Sequence, residues 1–349
     1  MATNQNEQQK PIVGILVSLI APFENHIANG GEKLLGNASS IKRRPDGKVY
    51  ISGQMQRHVF FSALKRLNDI EKKSFKRNSE DKQFDITQTF VSNADGITND
   101  ITHDLRADLG GYMHTNDGEN SERRTGALSV TVAVAKDESK VKNDLLNRVA
   151  INPKSDPALA TKEFSQHDDM IMNFYLDLNT LSITEHPNYK PNEDSKDGKN
   201  NKKDKNSKED KKSPKDNDRK GGWNVGIDYI DHVKNVAERK RRARLFLQAT
   251  SLMNDYANQA RNAVCGEPEK VVVVFDTIAS RKASRYLMAS EMAKKNIKEE
   301  LEARGAKIII GDDETEESVH KAYEEALKYL ESHELYSPAT DNTEQCIKQ

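Results

Sequence analysis

Apolar and polar positions divide this chain into segments of two different periods. Short apolar or alternating runs are typical of β-strands, and they occupy residues 12–19, 49–51, 86–92, 127–135, 170–178, 270–276 and 306–310. Segments with apolar residues three and four positions apart predict helices at residues 52–67, 233–263, 284–304 and 314–332. Residues 225–230 are a further strand or turn. This mixture predicts an α+β fold, with strand–helix–strand units and right-handed crossovers in the last third.

Polar stretches separate these elements. Residues 21–40 are rich in glycine and asparagine and predict a loop. Residues 136–169 are polar and join strands at both ends, so we expect a projecting β-hairpin over about 136–170. Residues 188–222 contain almost no apolar side chains, and because nothing there offsets the entropy of ordering, we expect a disordered insertion. The remaining elements, over residues 1–349, are expected to form a single domain.

The stretch from residue 42 to residue 67 joins a basic loop to an amphipathic helix. The loop contains Lys42, Arg43 and Arg44. A turn is expected at residues 45–47, because proline presets φ and glycine accepts a positive φ. Ser52 is a good N-cap, and Gln54 and Arg57 lie on the polar face of the helix. Since a helix N-terminus attracts anions, this stretch predicts a phosphate site, although a surface helix with solvated charges explains the same letters.

Composition limits the classes of protein to consider. The chain has 349 residues, two cysteines and a formal charge of −1. The net charge of the whole chain argues against a nucleic-acid binder. The affinity for phosphate, however, depends on local patches of positive charge. The cysteines are too few for a disulfide framework or a structural zinc site. No apolar run is long enough to span a bilayer and no signal peptide precedes the first strand, so we expect a cytoplasmic protein.

Two motifs resemble a known family. Ser52-x-Gln54-x-x-Arg57, placed after a basic loop and a strand, resembles the first helix of CRISPR-associated backbone proteins of the repeat-associated (RAMP) superfamily. The similarity is greatest to the DevR branch, the backbone subunits of type I (I-B-like) Cascade complexes. Residues 104–113 resemble the signature of aspartate, apolar residue, glycine and aromatic residue that precedes a small-residue strand in this family. Where relatives commonly carry an aromatic residue before the glycine, this chain has Gly110.

The resemblance implies an RRM-like (ferredoxin-like) central sheet with helices, a β-hairpin thumb and the disordered insertion. It also places the serine, glutamine and basic residue of the first helix against the backbone of a guide RNA. A basic residue precedes the strand at 127–135 in this family, although Arg123 and Arg124 are equally consistent with solvated turn residues. The expected RNA-binding residues are Lys42, Arg43, Arg44, Ser52, Gln54, Arg57, His58, Arg123 and Arg124.

The function implied by the resemblance is a guide RNA (crRNA)-binding structural subunit. Many copies would polymerise along the spacer as a helical filament, the backbone of a CRISPR antiviral surveillance complex, and present bases for pairing with target DNA. The expected partners are the guide RNA, the target DNA strand through that RNA, further copies of the chain and other Cascade subunits. We expect no membrane partner, no cofactor, no metal and no enzymatic activity.

Alternative interpretations remain at the level of sequence. A metal-dependent endoribonuclease backbone subunit would use an aspartate such as Asp168 or Asp169 on target RNA. A nucleotide-binding α/β unit in the last third would need a glycine-rich phosphate loop after Asp276, and the sequence has none there. The basic run of residues 239–244 is expected to be a solvated helix face, or a contact with RNA or with an acidic neighbour.

Overall fold

The computed structural model describes residues 10–30, 32–33, 38–74, 99–115, 121–148, 158–191, 223–260 and 262–341. The chain divides into two compact units: residues 1–182 with 232–337, and residues 183–231 with 338–349. This division does not test the single domain that we expect over residues 1–349, which stays a prediction. The first unit contains the large sheet and most of the helices, and every candidate site residue belongs to it.

The described strands are numbered along the chain. They are β1 (Gly14–His26), β2 (Glu32–Lys33), β3 (Ala38–Ser40), β4 (Tyr50–Ile51), β5 (Gly111–Thr115), β6 (Ser121–Thr125), β7 (Leu128–Val130), β8 (Ala133–Ala135), β9 (Val141–Arg148), β10 (Ala158–Asp177), β11 (Ile183–Pro191), β12 (Trp223–Asp231), β13 (Lys270–Asp276) and β14 (Lys307–Asp312). The helices are α1 (Gly53–Ser74), α2 (Leu105–Gly110), α3 (Val236–Thr250), a 3-10 helix (Lys282–Met288), α4 (Glu291–Ala303), α5 (Val319–Ser332) and α6 (Pro338–Asp341).

The centre of the sheet has the strand order β14-β13-β1-β10, and β7 and β8 pair with the far side of β10. All of these pairings are antiparallel. Helix α1 connects β1 to β7 and β8, and α3 lies between β10 and β13. This is the β-α-β-β-α-β arrangement of a ferredoxin-like fold. The predicted α+β class and RRM-like sheet are therefore confirmed.

Both faces of the sheet are covered by apolar side chains, but by different elements. On one face, Phe60 of α1 lies between Phe174 of β10 and Phe246 of α3, with ring centroids 5.9 and 5.8 Å away. On the other face, Leu16 of β1 and Tyr175 of β10 belong to a separate cluster with the 3-10 helix and α4. Strand alternation produces this division, because successive side chains point to opposite faces.

The long polar excursion forms the predicted β-hairpin. Strand β9 pairs antiparallel with the first half of β10, from Ala158 opposite Arg148 to Ser165 opposite Val141. The second half of β10 continues into the central sheet, where Met170 lies opposite Ala135. The predicted β-hairpin is thus present as the pair β9 and β10, while a thumb with the bounds 136–170 stays a prediction; the connection at 149–157 lies outside the described residues.

Several predicted boundaries were wrong. Helix α3 ends at Thr250 rather than near 263, because Tyr256 turns inward and its hydroxyl donates a hydrogen bond to Gln56 Oε1 at 3.1 Å. The helix expected at 284–304 is two elements, and Ser290 caps the second. The strand expected at 127–135 is interrupted at Thr131, whose hydroxyl accepts a hydrogen bond from the backbone N–H of Asn173 at 3.2 Å. The closing helix begins at Val319 after its N-cap Ser318.

Two further segments differ from the predictions, and a third lies outside the described residues. The loop expected at 21–40 contains the end of β1 and the short strands β2 and β3. Strands β13 and β14 are antiparallel, so the predicted parallel crossover between them is wrong. Periodicity locates both strands but does not reveal their relative direction. The predicted strand at 86–92 lies outside the described residues.

The second unit contains the antiparallel pair β11 and β12, with Ile183 opposite Asp231 and Pro191 opposite Trp223, and the short helix α6. The candidate strand at 225–230 is therefore confirmed as part of β12. Of the insertion expected at 188–222, residues 188–191 belong to β11. Residues 192–222 lie outside the described part of the chain.

Candidate nucleic-acid interface

The basic loop is a tight hairpin. Arg44 N–H donates to Lys48 O at 2.9 Å, and Gly47 N–H donates to Arg44 O at 3.0 Å. Gly47 has a φ of +79°, which favours glycine, so the predicted turn at 45–47 is confirmed. Tyr50 N–H donates to Lys42 O at 3.2 Å, which places Lys42 beside the strand that leads into α1.

The N-terminus of α1 is capped and anchored from outside the helix. The Ser52 hydroxyl accepts a hydrogen bond from Met55 N–H at 3.3 Å, as the predicted N-cap requires. Asn29 Oδ1 accepts hydrogen bonds from the Ser52 N–H at 3.1 Å and from its hydroxyl at 3.2 Å. The N–H groups of Gly53 and Gln54 have no acceptor among the described residues. The helix therefore begins with free donors beside a basic hairpin.

The contact of Asn29 with the start of α1 was not predicted from the sequence. It lies 23 positions before Ser52, in the stretch predicted to be a featureless loop. The strand β1 actually continues to His26, and a turn with Gly30 at φ +77° then brings Asn29 beneath the start of α1. Glycine and asparagine in this stretch were the available signal, because both residues favour turns.

The hairpin cations have weak acidic partners. Arg43 Nη2 lies 3.3 Å from Glu163 Oε1 on β10, and Arg44 Nη2 lies 3.4 Å from Asp46 Oδ2. The arginine side chains are 43% and 50% exposed, and ion pairs at such positions contribute about 1 kcal/mol or less. Lys48 Nζ donates to the backbone O of Lys136 at 2.6 Å, so its charge is not neutralised by that contact. Phosphate oxygens can replace these partners at little cost.

Arg57 is partly buried and connects α1 to the end of α2. Its Nη2 donates to Gly110 O at 2.6 Å, and its guanidinium lies 5.9 Å from the centroid of the Phe61 ring. A Cβ at position 110 would be only 3.0 Å from Phe61 Cζ and 3.1 Å from Arg57 Nη2. A side chain at position 110, where relatives commonly carry an aromatic residue, would therefore press against the side chains of Phe61 and Arg57 on α1.

The remaining predicted residues on α1 are separated along the helix. Gln54 is exposed in the first turn, and His58 lies one turn further on, partly exposed. Asp255 is held by Ser62 and Arg66 on α1. Burial would raise the pKa of Asp255, but hydrogen bonds from Ser62 and Arg66 outweigh burial and lower it, with a smaller contribution from the charge of His58. His58 therefore faces an acidic group of its own chain.

The two arginines before the small-residue strand have different environments. Arg123 is exposed on β6, opposite Met113 of β5. The side chain of Arg124 is only 6% exposed, and its Nη2 lies 3.0 Å from Asp108 Oδ1. Arg124 also donates to the backbone O atoms of Asp108, at 2.6 Å, and of Thr180. Arg124 is thus a structural residue in this chain, and Arg123 alone of the pair faces solvent.

The arginine run of α3 is also structural rather than solvated. Arg242 is fully buried, and its Nη1 lies 2.5 Å from Asp108 Oδ2. Its Nε lies 3.0 Å from Glu238 Oε1. Arg241 and Arg244 lie 2.9 and 2.8 Å from the two carboxylate oxygens of Glu71 on α1. The expectation of a solvated face was therefore wrong for Arg241, Arg242 and Arg244, because carboxylates of Glu71, Asp108 and Glu238 pair with them.

The aspartates of the ribonuclease alternative lie at the base of the β9–β10 hairpin. Asp168 is 4% exposed; its Oδ2 lies 2.8 Å from His26 Nε2, and its Oδ1 accepts the Ser139 hydroxyl at 2.5 Å. Burial would raise the pKa of Asp168, but the hydrogen bonds from His26 and Ser139 outweigh burial and lower it. Asp169 is half-buried, 3.8 Å from Lys136 Nζ. Ser139 also accepts the N–H of Val49 at 2.9 Å, so Asp168 supports the basic hairpin.

Neither a metal-binding cluster nor a membrane-spanning helix is found among the described residues. No three histidine, cysteine, aspartate or glutamate side chains in those ranges lie close enough together to hold a metal ion. Among the helices that the structure describes, none combines the length and the apolar composition of a membrane span.

The sequence pattern of a protein family described as "CRISPR-associated negative auto-regulator DevR/Csa2" matches residues 18–275. No curated protein matches the chain in sequence. Solved structures that resemble it include a chain of a "CRISPR RNA-guided surveillance complex", at 12% identity and a TM-score of 0.48, covering 90% of this chain and 99% of that one. A chain of a "CRISPR RNA-guided surveillance complex, pre-nicking" has 12% identity and a TM-score of 0.46, covering 91% and 99%.

Proposed function

The chain belongs to the CRISPR-associated DevR/Csa2 family, and we propose that it is a noncatalytic, guide RNA-binding subunit of a type I Cascade complex. Copies of the chain polymerise along the spacer of the crRNA and hold its bases for pairing with a target DNA strand. Other Cascade subunits complete this cytoplasmic antiviral surveillance complex. Sequence specificity comes from base pairing, while the protein contacts the RNA backbone.

One observation carries the proposal: helix N–H groups without an acceptor among the described residues follow the basic hairpin, in which Arg43 and Arg44 are about half exposed. Gly53 and Gln54 offer backbone donors, and the hairpin register brings Lys42 beside Tyr50, two residues before the N-cap. A phosphodiester at this position gains both hydrogen bonds and charge complementarity. Because every contact is to backbone or charge, the site binds RNA of any sequence, as a subunit repeated along a variable spacer must.

The absence of catalysis in this proposal is supported by the environment of Asp168. Both of its carboxylate oxygens are engaged by His26 and Ser139, and the side chain is nearly inaccessible to solvent. A carboxylate that supports a loop in this way is poorly placed to meet a substrate. Asp169 is more accessible, and for that reason it is the residue to test.

RNA binding tests the proposed interface. A variant with Lys42→Ala, Arg44→Ala and Lys48→Ala should bind a labelled repeat-containing RNA about tenfold or more weakly in fluorescence anisotropy, because phosphate contacts dominate such affinity. The matched control removes Lys295, Lys298 and Lys328, which are exposed on α4 and α5, and should bind like the unmodified chain. Equal losses in the two variants would show nonspecific attraction and overturn the proposed interface.

A cleavage assay tests the noncatalytic part. Full-length protein loaded with guide RNA is incubated with a matched target RNA and Mg²⁺. We expect the target to remain intact over the period in which it stays bound. Periodic fragments that disappear in Asp169→Ala would favour the endoribonuclease and contradict the proposal.

A further inference from the structure

A small pocket lies on the sheet face opposite α1 and α3. It has a volume of about 110 Å³ and lies between β7, β10 and the 3-10 helix. Its polar lining residues are Ser129, Thr131, Asn173, Tyr175, Arg281 and Ser284. Leu16, Val130 and Phe174 complete the wall. The pocket is far larger than the space that one ordered water needs, and its lining reaches the start of α1, because a Cβ at Gly53 would lie 3.6 Å from Val130 O and 3.8 Å from Thr131 O.

One wall of the pocket is a stacked pair of planar groups. The guanidinium of Arg281 lies 4.4 Å from the centroid of the Tyr175 ring, within cation–π distance. A Cβ at Gly14 would overlap the Tyr175 hydroxyl, so glycine at that position allows the ring to lie across β1. Burial raises the pKa of Tyr175, which keeps the ring neutral. Arg281 is exposed and donates no hydrogen bond to any described residue.

The other wall offers an amide edge. Asn173 Oδ1 is buried and has no hydrogen-bond partner among the described residues. The Asn173 Nδ2 lies 3.5 Å from the Thr131 hydroxyl, which is a marginal contact. A buried acceptor without a donor costs free energy, so a ligand that supplies a donor here is favoured.

These features select the chemistry of the ligand. A phosphate or a carboxylate would pair with Arg281 and the hydroxyl groups of the pocket, but it offers no flat face to the guanidinium plane and no edge with both donors and acceptors to the Asn173 amide. A nucleobase has donors and acceptors on one edge and a flat face for a guanidinium plane. We propose that this pocket binds a single nucleobase of a single-stranded nucleic acid, stacked on Arg281 and hydrogen-bonded to Asn173.

Short oligothymidylate and oligouridylate, labelled for fluorescence anisotropy, are the probes, and they distinguish DNA from RNA as the source of the base. Arg281→Ala removes the stacking plane and Asn173→Ala removes the hydrogen-bonding edge, so each should weaken binding of at least one probe about tenfold. Arg281→Lys keeps the charge but loses the plane, and it should resemble Arg281→Ala. The matched control is Arg285→Ala, because Arg285 is an exposed arginine of the 3-10 helix that follows Arg281, and it lies outside the pocket lining.

An abasic oligomer of equal length separates the base from its phosphates. The unmodified chain should bind it as weakly as Arg281→Ala binds oligothymidylate. Photocrosslinking with a thio-substituted pyrimidine should label a peptide that contains Asn173 or Arg281. Equal binding of the abasic oligomer and of the oligomer that carries its bases would overturn the proposal. Equal losses of affinity in Arg281→Ala and Arg285→Ala would do the same. The variant at Lys42, Arg44 and Lys48 should leave the crosslink in place, so failure here and failure of the guide RNA interface are distinguishable.

Discussion

The hairpin of residues 42–48 and the arginine run of residues 239–244 look alike in sequence but lie in opposite environments. In the hairpin, Arg43 and Arg44 are about half exposed, and each has one acidic partner at more than 3.2 Å. In the run, Arg242 is fully buried, and its donors are taken by two carboxylates and by backbone oxygens. Cation density alone therefore does not indicate a nucleic-acid surface.

The difference lies in the acidic residues that the fold brings to each segment. Asp108 and Glu71 are distant from α3 in sequence, yet they pair with Arg241, Arg242 and Arg244 in the folded chain. In the hairpin, Arg43 meets Glu163 and Arg44 meets Asp46, and both pairs are exposed to solvent. Positive charge that acidic side chains do not compensate, rather than total positive charge, distinguishes a surface that attracts phosphate from a structural ion-pair network.

The largest expected effect comes from breaking the buried network. Asp108→Ala leaves Arg124 and Arg242 without their shared carboxylate, and removing one partner of a buried pair costs about 3–5 kcal/mol. The free energy of unfolding, measured by urea denaturation, should fall by that amount. The counterpart for the hairpin is Glu163→Ala, which should change it by about 0.5 kcal/mol or less. Similar losses in both variants would remove the distinction between the two segments.

The sequence was informative where local rules decide the structure. The turn at 45–47, the Ser52 N-cap and the strand at 270–276 follow from proline, glycine and serine preferences and from apolar runs, and the structure has each of them. The end of α3 and the direction of β14 were not predictable in this way. Both depend on contacts between elements far apart in sequence, such as Tyr256 with Gln56.

The candidate site shows the same difference between features set by local rules and features set by contacts between distant elements. The resemblance selected Arg123 and Arg124 together, but a strand places neighbouring side chains on opposite faces, so only Arg123 is exposed. Asn29 and Glu163 were missed because they reach Ser52 and Arg43 from other strands or turns. Whether the exposed members of the set contact RNA stays a prediction.

A second and smaller effect concerns the salt dependence of guide RNA binding, which should differ between variants of the two segments. Each phosphate contact with a single strand contributes about 0.7 to the slope of log affinity against log salt. Removing Lys42 and Arg57 together should weaken guide RNA binding and make its salt dependence shallower by about 1.4. Arg244→Ala, in the neutralised run, should leave the slope unchanged. An unchanged slope in the first variant would count against the hairpin and the start of α1 as the RNA site.

The smallest expected effect concerns pH and the support of the hairpin by Asp168. The pKa of Asp168 is lowered from 3.8 in the folded chain, so its interactions stabilise the fold above that pH. This contribution is lost as the pH falls through the folded pKa, because the carboxyl group is then protonated. The unfolding midpoint should fall more steeply below about pH 4 in the unmodified chain than in Asp168→Asn. Identical profiles would show that the contacts of Asp168 do not stabilise the fold.

The central claim is that many copies of this chain bind one guide RNA through the hairpin and the start of α1. Size-exclusion chromatography of the full-length protein with repeat-containing RNA, recorded at protein and nucleic-acid wavelengths, tests it most directly. The account predicts one early peak with both absorbances, and a shift to free protein for the variant at Lys42, Arg44 and Lys48. A single subunit that elutes without RNA, with or without the added transcript, would contradict it.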